Sequence, residues 1–483
     1  MEDIVLIGYF LSLTILFIFG LHGFIMMYYH HKYRDVKYPQ KKEIDTNSLV
    51  TIQLPIYNEI YVVERLIDAV CEIDYPKDKM EIQVLDDSTD ETVNVVAKKV
   101  KEKFDLGFDI KHVRRESRAG FKAGALKEGM KFATGDYIAI FDADFIPNKA
   151  FLKKTLSFFS DEKVGMVQTR WEHLNGDYSI LTKAQALALD GHFVIEQTVR
   201  NKAGFFINFN GTGGVWRKKC IEEAGNWHSD TLTEDLDLSY RAQLIGWRFV
   251  FLKDFTSPAE LPSEINALKA QQFRWTKGAI ETSKKILPLV WKSKVPLRIK
   301  LQATFHLTNN LVFPFILLAA ILNVPLIFIK NSGSHEAYFA IMSLFVLAFV
   351  SSFLFYFYSQ KDIRTDWRKK IVLFPLFMAG SMGFAVNNSR AVIEGLLSRK
   401  SEFVRTPKFK VEKDGDSWKG NKYVNKKINF SVYIELLMAV YCLFGIISSL
   451  YFLEIAALPF QFLFFLGFSF VSFTSIKHAY QKT

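Results

Sequence analysis

Three cysteines are few for a chain of 483 residues. Cys71, Cys220 and Cys442 form no even-numbered set and have no metal-ligand spacing, which excludes a disulfide framework and argues against zinc. No internal repeat and no low-complexity linker is present. Positive charge is missing where a secretory leader needs it. The chain begins Met-Glu-Asp, and the basic segment His30-His31-Lys32-Tyr33-Arg34 follows the first apolar run instead of preceding it. Acidic residues are in the minority, 50 against 61 Lys+Arg, for a formal net charge of +11. Such a balance raises the question of nucleic acid, but the cations gather beside apolar runs, as at the cytoplasmic ends of membrane segments. The expected partner is therefore a lipid bilayer and not a nucleic acid.

Apolar residues dominate what is present: 49% are hydrophobic and 15% aromatic, with 46 phenylalanines. Residues 4–29 are almost uninterrupted, roughly 26 positions, enough to span a bilayer with some tilt. Residues 1–34 read as an uncleaved anchor with the amino terminus outside. Farther on, 305–329 and 337–358 form an apolar pair, and Phe430–Tyr451 and 455–473 a second. Between the pairs, 371–386 is apolar for only about 16 residues, short for a crossing. It is flanked by Asp366-Trp367-Arg368-Lys369-Lys370 on one side and by Arg399-Lys400 and Lys426-Lys427 on the other. Basic flanks on both sides predict that both face the cytoplasm, so this segment is expected to be interfacial or re-entrant. Residues 301–483 are thus membrane and interfacial helices.

Residues 35–300 read as an α/β domain. Short β-type runs at 50–54, 81–85, 109–113 and 137–141 alternate with helical patterns, one from Ile60 and one over 122–132. Pro55 is expected to break the first strand. Ser88 and Glu91 have capping-box spacing for the helix after the second. Strands alternating with helices imply a mostly parallel sheet covered on both faces. In such sheets ligands sit at the carboxyl ends of the strands, which brings Asp87 and Asp142 to one crevice.

Four clusters follow in order. Asp86-Asp87 is either an N-cap region ahead of Ser88 or, through Asp87, an acceptor for a nucleobase N–H. Tyr57, in Pro55-Ile56-Tyr57-Asn58-Glu59, then offers a stacking surface. Asp142-Ala143-Asp144 is either a solvated turn or a pair of hard ligands for Mg²⁺ or Mn²⁺ beside a diphosphate, and its place directly after a buried-type strand favours the metal. Thr233-Glu234-Asp235-Leu236-Asp237 opens a helix with Thr231 or Thr233 as its cap. Its acids either complement the helix dipole or supply a general base for an attacking hydroxyl. Gln271-Gln272-Phe273-Arg274-Trp275 adds a guanidinium for phosphate and an indole for a sugar face. Between these clusters, the run from Arg114 to Gly124 places cations, Lys122 among them, at a helix entry suited to a diphosphate. Asn210-Gly211-Thr212-Gly213-Gly214 permits close backbone approach. Together these residues suit transfer of a sugar from a nucleotide diphosphate to a hydroxyl.

In this order the clusters resemble the D, D-x-D, T/E-E-D and Q-x-x-R-W motifs of the processive, membrane-embedded inverting glycosyltransferases of the cellulose synthase superfamily. Gln83-Val84-Leu85-Asp86-Asp87-Ser88-Thr89-Asp90, Phe121-Lys122-Ala123-Gly124-Ala125-Leu126-Lys127 and Phe209-Asn210-Gly211-Thr212 are similar to the plant cellulose-synthase-like mannan and glucan synthases. So are Gln168-Thr169-Arg170-Trp171 and Glu260-Leu261-Pro262-Ser263. The resemblance covers the whole chain. It implies an α/β domain of GT-A type, a cytoplasmic Rossmann-like mixed sheet inserted between transmembrane helices. It also implies that Tyr57, Glu59, Asp87, Lys122, Asp142, Asp144 and Arg274 bind the nucleotide sugar, with Asp142 and Asp144 on the metal. Asp235 becomes the base, and Gln271 and Trp275 line the acceptor site.

Phe403-Val404-Arg405-Thr406-Pro407-Lys408 resembles the F-x-V-T-x-K gating loop of cellulose synthases, set within 398–428. Phe403, Thr406 and Lys408 are in register, while Arg405 stands where valine is usual. The cyclic-dinucleotide domain of bacterial cellulose synthases and the zinc domain of the plant enzymes are not expected. The implied activity is inverting transfer of hexose from GDP-mannose or UDP-glucose to a growing β-1,4-linked polysaccharide, which the membrane helices translocate. The membrane is a bacterial inner membrane or a Golgi membrane, and the motifs carry no signal for an accessory subunit. A non-processive enzyme making a glycolipid or short glycan is the alternative, and the several carboxyl-terminal helices favour the polymer. Intact acids at every cluster argue against a transporter or scaffold.

Overall fold

The computed structural model describes residues 2–36, 48–333, 335–401, 403–412, 415–424 and 428–480; Lys426 and Lys427, read above as a basic flank, lie outside the described residues. Seven strands form one sheet: β1 (Val50–Ile56), β2 (Met80–Asp86), β3 (Asp109–Arg114), β4 (Tyr137–Ile140), β5 (Val164–His173), β6 (Gly214–Arg217) and β7 (Arg248–Ala259). Their order is β3-β2-β1-β4-β6-β5-β7. Strand β6 runs antiparallel to both β4 and β5, and the other neighbours are parallel. The sheet is mixed, as the family resemblance implies.

Period-two alternation builds a core on each face. Val50, Ile52, Leu54 and Ile56 of β1 pack with Leu66, Ile67 and Val70 of the helix Val63–Cys71. Ile138 and Ile140 of β4 and Trp216 of β6 face the other core, beneath the helix Phe121–Met130. Thr51, Gln53, Glu81 and Gln83 have the polarity of solvent positions, yet all four are buried. They satisfy one another. Thr51 Oγ1 donates to Glu81 Oε2 at 2.6 Å, and Gln53 Nε2 donates to Gln83 Oε1 at 3.1 Å. The covering helix comes this close because residue 129 is glycine; a Cβ there would lie 2.5 Å from Gln53 Nε2.

Two local expectations are corrected. Pro55 does not break β1, which continues to Ile56. Strand β4 pairs with β1 only as far as Gln53, so at Pro55 only β2 remains alongside and the missing proline N–H is tolerated. Nor do Ser88 and Glu91 form a capping box. The helix Thr92–Asp105 has Glu91 itself at the N-cap, with no side-chain bond. Ser88 Oγ instead accepts from Asn58 N at 2.8 Å, and Ser88 N donates to Asp86 Oδ1 at 2.8 Å. Those bonds tie the ends of β1 and β2 together at the edge of the crevice.

Five helices among the described residues are long and apolar enough to cross a bilayer: Glu2–Tyr33, Leu297–Asn331, Glu336–Ile363, Phe430–Tyr451 and Ile455–Tyr480. They flank the sheet domain in sequence. The short apolar segment is a helix pair, Trp367–Gly383 and Ala385–Leu396, bent by 46°. At its bend Gly383 meets Gly467; a Cβ on Gly383 would fall 2.3 Å from Gly467 O, so small residues permit the contact. Both ends of the pair meet residues that precede the carboxyl-terminal membrane helices. Lys370 pairs with Asp177, and the Arg399 carbonyl accepts from Lys277 Nζ at 2.5 Å. Both ends of the segment thus contact the part of the chain that carries the sheet.

The long helix Ile265–Lys292 joins the two halves of the molecule. Glu264 caps it, accepting from Asn266 N and Ala267 N at 2.8 Å each. One turn on, buried Lys269 places Nζ 2.7 and 2.8 Å from the two carboxylate oxygens of buried Glu435 on the helix Phe430–Tyr451.

Side of exposure is directly testable. In a chain with its native cysteines replaced, Arg368→Cys and Ser398→Cys are expected to react with an impermeant maleimide from the same face of sealed vesicles. That face is the one from which Lys131→Cys reacts. Labelling from opposite faces would make the bent pair a crossing.

Candidate active site

The carboxyl ends of β1, β2 and β4 open onto one cleft, and all thirteen residues assigned above to donor, metal, base, acceptor or loop line it. The two aspartates after β2 differ in use. Asp86 is turned inward, with Oδ2 2.8 Å from His112 Nε2. Asp87 faces the cleft and receives a fork from Arg115, whose Nε donates to Oδ1 at 2.9 Å and whose Nη2 donates to Oδ2. Arg118 lays its guanidinium 3.4 Å from the centre of the Tyr57 ring, over the face expected to stack on a base.

Acids and cations alternate along the floor. Lys122 Nζ lies 2.5 Å from Asp142 Oδ1 and donates to Gly211 O at 2.9 Å. Asp142 N donates to Thr212 Oγ1 at 2.9 Å. Lys408 Nζ stands 2.7 Å from Asp144 Oδ2. Desolvation pushes the Asp142 carboxyl up, with Lys122 opposing it. Glu59 adds a third carboxylate, of which Oε2 is buried with no hydrogen-bond partner among the described residues. Desolvation raises Glu59 to about 8 even with Arg405 beside it. This all-oxygen donor set fits a hard divalent cation such as Mg²⁺ or Mn²⁺. A separate group at ligand spacing, His228, Asp230 and Asp237, already holds the ammonium of Lys285 at 2.8 Å from Asp230 and 2.9 Å from Asp237.

Asp235 is the second residue of the helix Glu234–Leu244, whose N-cap is Thr233 without a side-chain cap bond. Thr233 Oγ1 is 3.0 Å from Thr282 Oγ1 instead. Desolvation in the cleft, and then the neighbouring Glu234, push the Asp235 carboxyl up to about 7. The glycine-rich run passes directly beneath it. Gly211 has φ of 81°, and a Cβ there would lie 3.2 Å from Asp235 Oδ2 and 3.3 Å from Lys122 Nζ. Only glycine permits both the backbone turn and the approach.

The loop carrying Phe403 to Lys408 lies in the mouth of the cleft. Arg274 donates from Nη1 to Val404 O at 2.9 Å and from Nη2 to Thr406 Oγ1 at 3.3 Å. Phe403 stacks on Phe121 with centroids 5.3 Å apart. Arg405, the departure from the gating pattern, has Nη1 2.9 Å from Glu59 Oε1 and forms an ion pair with it. Its guanidinium also sits 3.9 Å from the centre of the Tyr423 ring. Glu260 was quoted above only within a motif, but it anchors this loop. Its carboxylate accepts from Phe409 N at 2.9 Å and Lys410 N at 3.0 Å, and its carbonyl accepts from Lys408 Nζ at 2.6 Å. Glu260 precedes Leu261-Pro262, so the sequence marked the turn and gave no sign of the distant loop. Arg115 and Arg118 were read only as part of a basic loop.

A second cavity shares a wall with the first. Asn210, Thr233, Asp235, Gln271 and Trp275 line both. The second continues past His192 to Phe313, Phe377, Ser381 and Phe470 on the membrane helices.

Residues 48–278 match a family model described as glycosyltransferase like family 2. The chain is 36% identical over 378 residues to a protein of Arabidopsis thaliana named probable glucomannan 4-beta-mannosyltransferase 10, covering 76% of this chain and 66% of that one. It is 40% identical over 275 residues to glucomannan 4-beta-mannosyltransferase 1 of Oryza sativa subsp. japonica, covering 56% and 52%. The chain thus spans from about half to two thirds of the length of these relatives. A mannosyltransferase from Pyrobaculum calidifontis, solved in complex with GDP-Man and Mn²⁺, shares the fold with a TM-score of 0.57. That superposition covers 82% of this chain and all of the other at 20% identity. In residues 48–278 the chain therefore carries a GT-A domain of the family 2 glycosyltransferases, and its relatives are the cellulose-synthase-like glucomannan 4-β-mannosyltransferases.

Proposed function

We propose that this protein transfers a hexose, mannose foremost, from a nucleotide diphosphate sugar to the non-reducing end of a β-1,4-linked glycan, with inversion. The observation that carries the reading is the shared wall of the two cavities: Asp235, Gln271 and Trp275 stand between the cleft of the acidic clusters and a passage into the membrane helices. The 4-β-mannosyltransferase relatives support mannose as the sugar, which makes GDP-mannose the donor to test first. The growing chain leaves through the second cavity, whose aromatic and small polar lining suits the faces and hydroxyls of a sugar polymer. The catalytic domain, 35–300, faces the cytoplasm between the anchor 1–34 and the helices of 301–483, as the basic flanks require.

The chemistry follows from the side chains. Tyr57 and Asp87 hold the base, and Arg118 moves aside for it. Asp235 takes the proton of the acceptor hydroxyl as that oxygen bonds to the anomeric carbon. The bond from that carbon to the diphosphate breaks on the opposite face, and its electron pair leaves with the phosphate. Lys122 and Arg274 receive the developing charge. Asp142 and Asp144 would hold the divalent cation, which when bound supplies Lewis-acid stabilisation of the diphosphate. Gln271 and Trp275 support the acceptor sugar, and the loop with Phe403, Thr406 and Lys408 closes over the nucleotide.

Asp235→Asn keeps shape but cannot take the proton, so transfer should fall by roughly 10²–10⁴ while donor affinity changes little. A base must be ionised to act. With its carboxyl held up to about 7, transfer is expected to rise as pH is raised through that value and then level off. A pH-independent rate, or near-normal product from Asp235→Asn, removes the assignment. Asp142→Asn and Asp144→Asn should each abolish the Mn²⁺-dependent part of nucleotide binding, read by calorimetry; binding equally metal-dependent in both variants would remove them from the site. For the loop, Glu260→Ala removes two acceptors, each worth about 1–3 kcal/mol when a buried donor is left unsatisfied. Amide exchange at Phe409 and Lys410 should then accelerate, and unchanged protection would place the anchor elsewhere.

A further inference from the structure

The helical stretch from Ile180 to Lys202 changes its winding partway. Ile180–Asp190 is α-helical, Gly191–Gln197 is π-helical, and Thr198–Lys202 is α-helical again. A π segment this long is unusual and gathers at functional sites, because the wider winding re-aims side chains. Here His192 reaches the wall of the second cavity, beside Asn210, Asp235 and Trp275.

Hydrogen bonds fix the polarity of the group. Asn210 Oδ1 accepts from Gln197 Nε2 at 2.8 Å, so its Nδ2 donates to His192 Nε2 at 3.1 Å. The other ring nitrogen, Nδ1, then carries the hydrogen and donates to Glu196 at 3.0 Å. Glu196 also pairs with Arg200 Nε at 3.3 Å. Arg200 is fully buried and donates to the carbonyls of Phe206 and Gln302. Burial pushes the Glu196 carboxyl up, but the His192 hydrogen bond and the charge of Arg200 outweigh it and hold it well below the usual range. An ion-paired carboxylate thus steadies the ring, and the ring steadies Asn210, which lines both cavities.

We propose that Asn210 forms a polar subsite for the terminal hexose of the acceptor, with His192 and Glu196 as the positioning residues that orient its amide. Trp275 offers a flat face, which holds a sugar without fixing its rotation. The second Nδ2 hydrogen of Asn210 has no other partner among the described residues and gives the direction an indole lacks. A hydroxyl held there presents its neighbour to Asp235. This inference rests on the acceptor reading of the second cavity.

The test uses the full-length protein in detergent with GDP-mannose, and follows nucleotide release with and without a β-1,4-linked mannose tetrasaccharide. His192→Ala is expected to raise the acceptor KM about tenfold, the loss of roughly one hydrogen bond. Release that depends on the tetrasaccharide should fall more than hydrolysis to water, and the donor KM should not rise in step. His192→Gln, whose Oε1 takes the place of Nε2 and can accept from Asn210, should recover part of the loss. Equal loss of both kinds of release, or an acceptor KM unchanged in His192→Ala, overturns the subsite. If release by the unaltered protein ignores the tetrasaccharide, the acceptor reading itself fails.

Discussion

The cleft depends on compensation of charge where water is scarce. Asp142 and Asp144 follow one strand, Glu59 follows another and Glu234-Asp235 open a helix, all around one small volume. Carboxylates so crowded repel one another and lose hydration, and the cleft is tenable only because cations arrive from elsewhere. Lys122 comes from the helix beyond β3, Arg274 from the long helix, and Arg405 and Lys408 from a loop that follows the bent membrane pair. The electrostatics of the sheet domain therefore require the carboxyl-terminal half to be present. This physical reason explains why the two halves form one functional unit.

The same arrangement sets cations against the acids and rings of the cleft. Lys408 sits on Asp144, and Arg118 lies over the Tyr57 ring. Each is a long side chain whose charge is carried on a flexible stem. Glu260 holds the loop backbone to the rim meanwhile.

Coupling to the membrane runs through the helix Ile265–Lys292. Within four turns it is bonded to Glu435 through Lys269, to the loop through Arg274 and to the end of the bent pair through Lys277. Removing one partner of a buried ion pair such as Lys269–Glu435 leaves an uncompensated charge and is strongly destabilising. Trp275 is therefore held between two fixed points, so its indole and the second cavity beyond it keep one geometry.

Much of this was legible from residues alone, for physical reasons. Apolar runs declare themselves by length, and a strand ending in D-x-D declares a place where two carboxylates leave the sheet together. The first four strands, the first apolar helix, the four helices of the two apolar pairs, and the order of the clusters all followed from such local signals. Other features had no local signal. Thr51 and Gln53 read as solvent positions because polarity reports hydrogen-bonding capacity, and only the packed sheet shows that the partners are Glu81 and Gln83. Pro55 passes through β1 because of which neighbour ends first, a property of the sheet and not of the strand. Ser88 abandons its helix for Asn58 because two strand ends meet there. Glu260, Arg118 and the His192–Glu196–Asn210 relay act across separations of up to about 150 residues. Short-range pattern determined the elements and the chemistry each carries. Which charge meets which was decided in tertiary structure, because pairing depends on distance in space and the sequence records only distance along the chain.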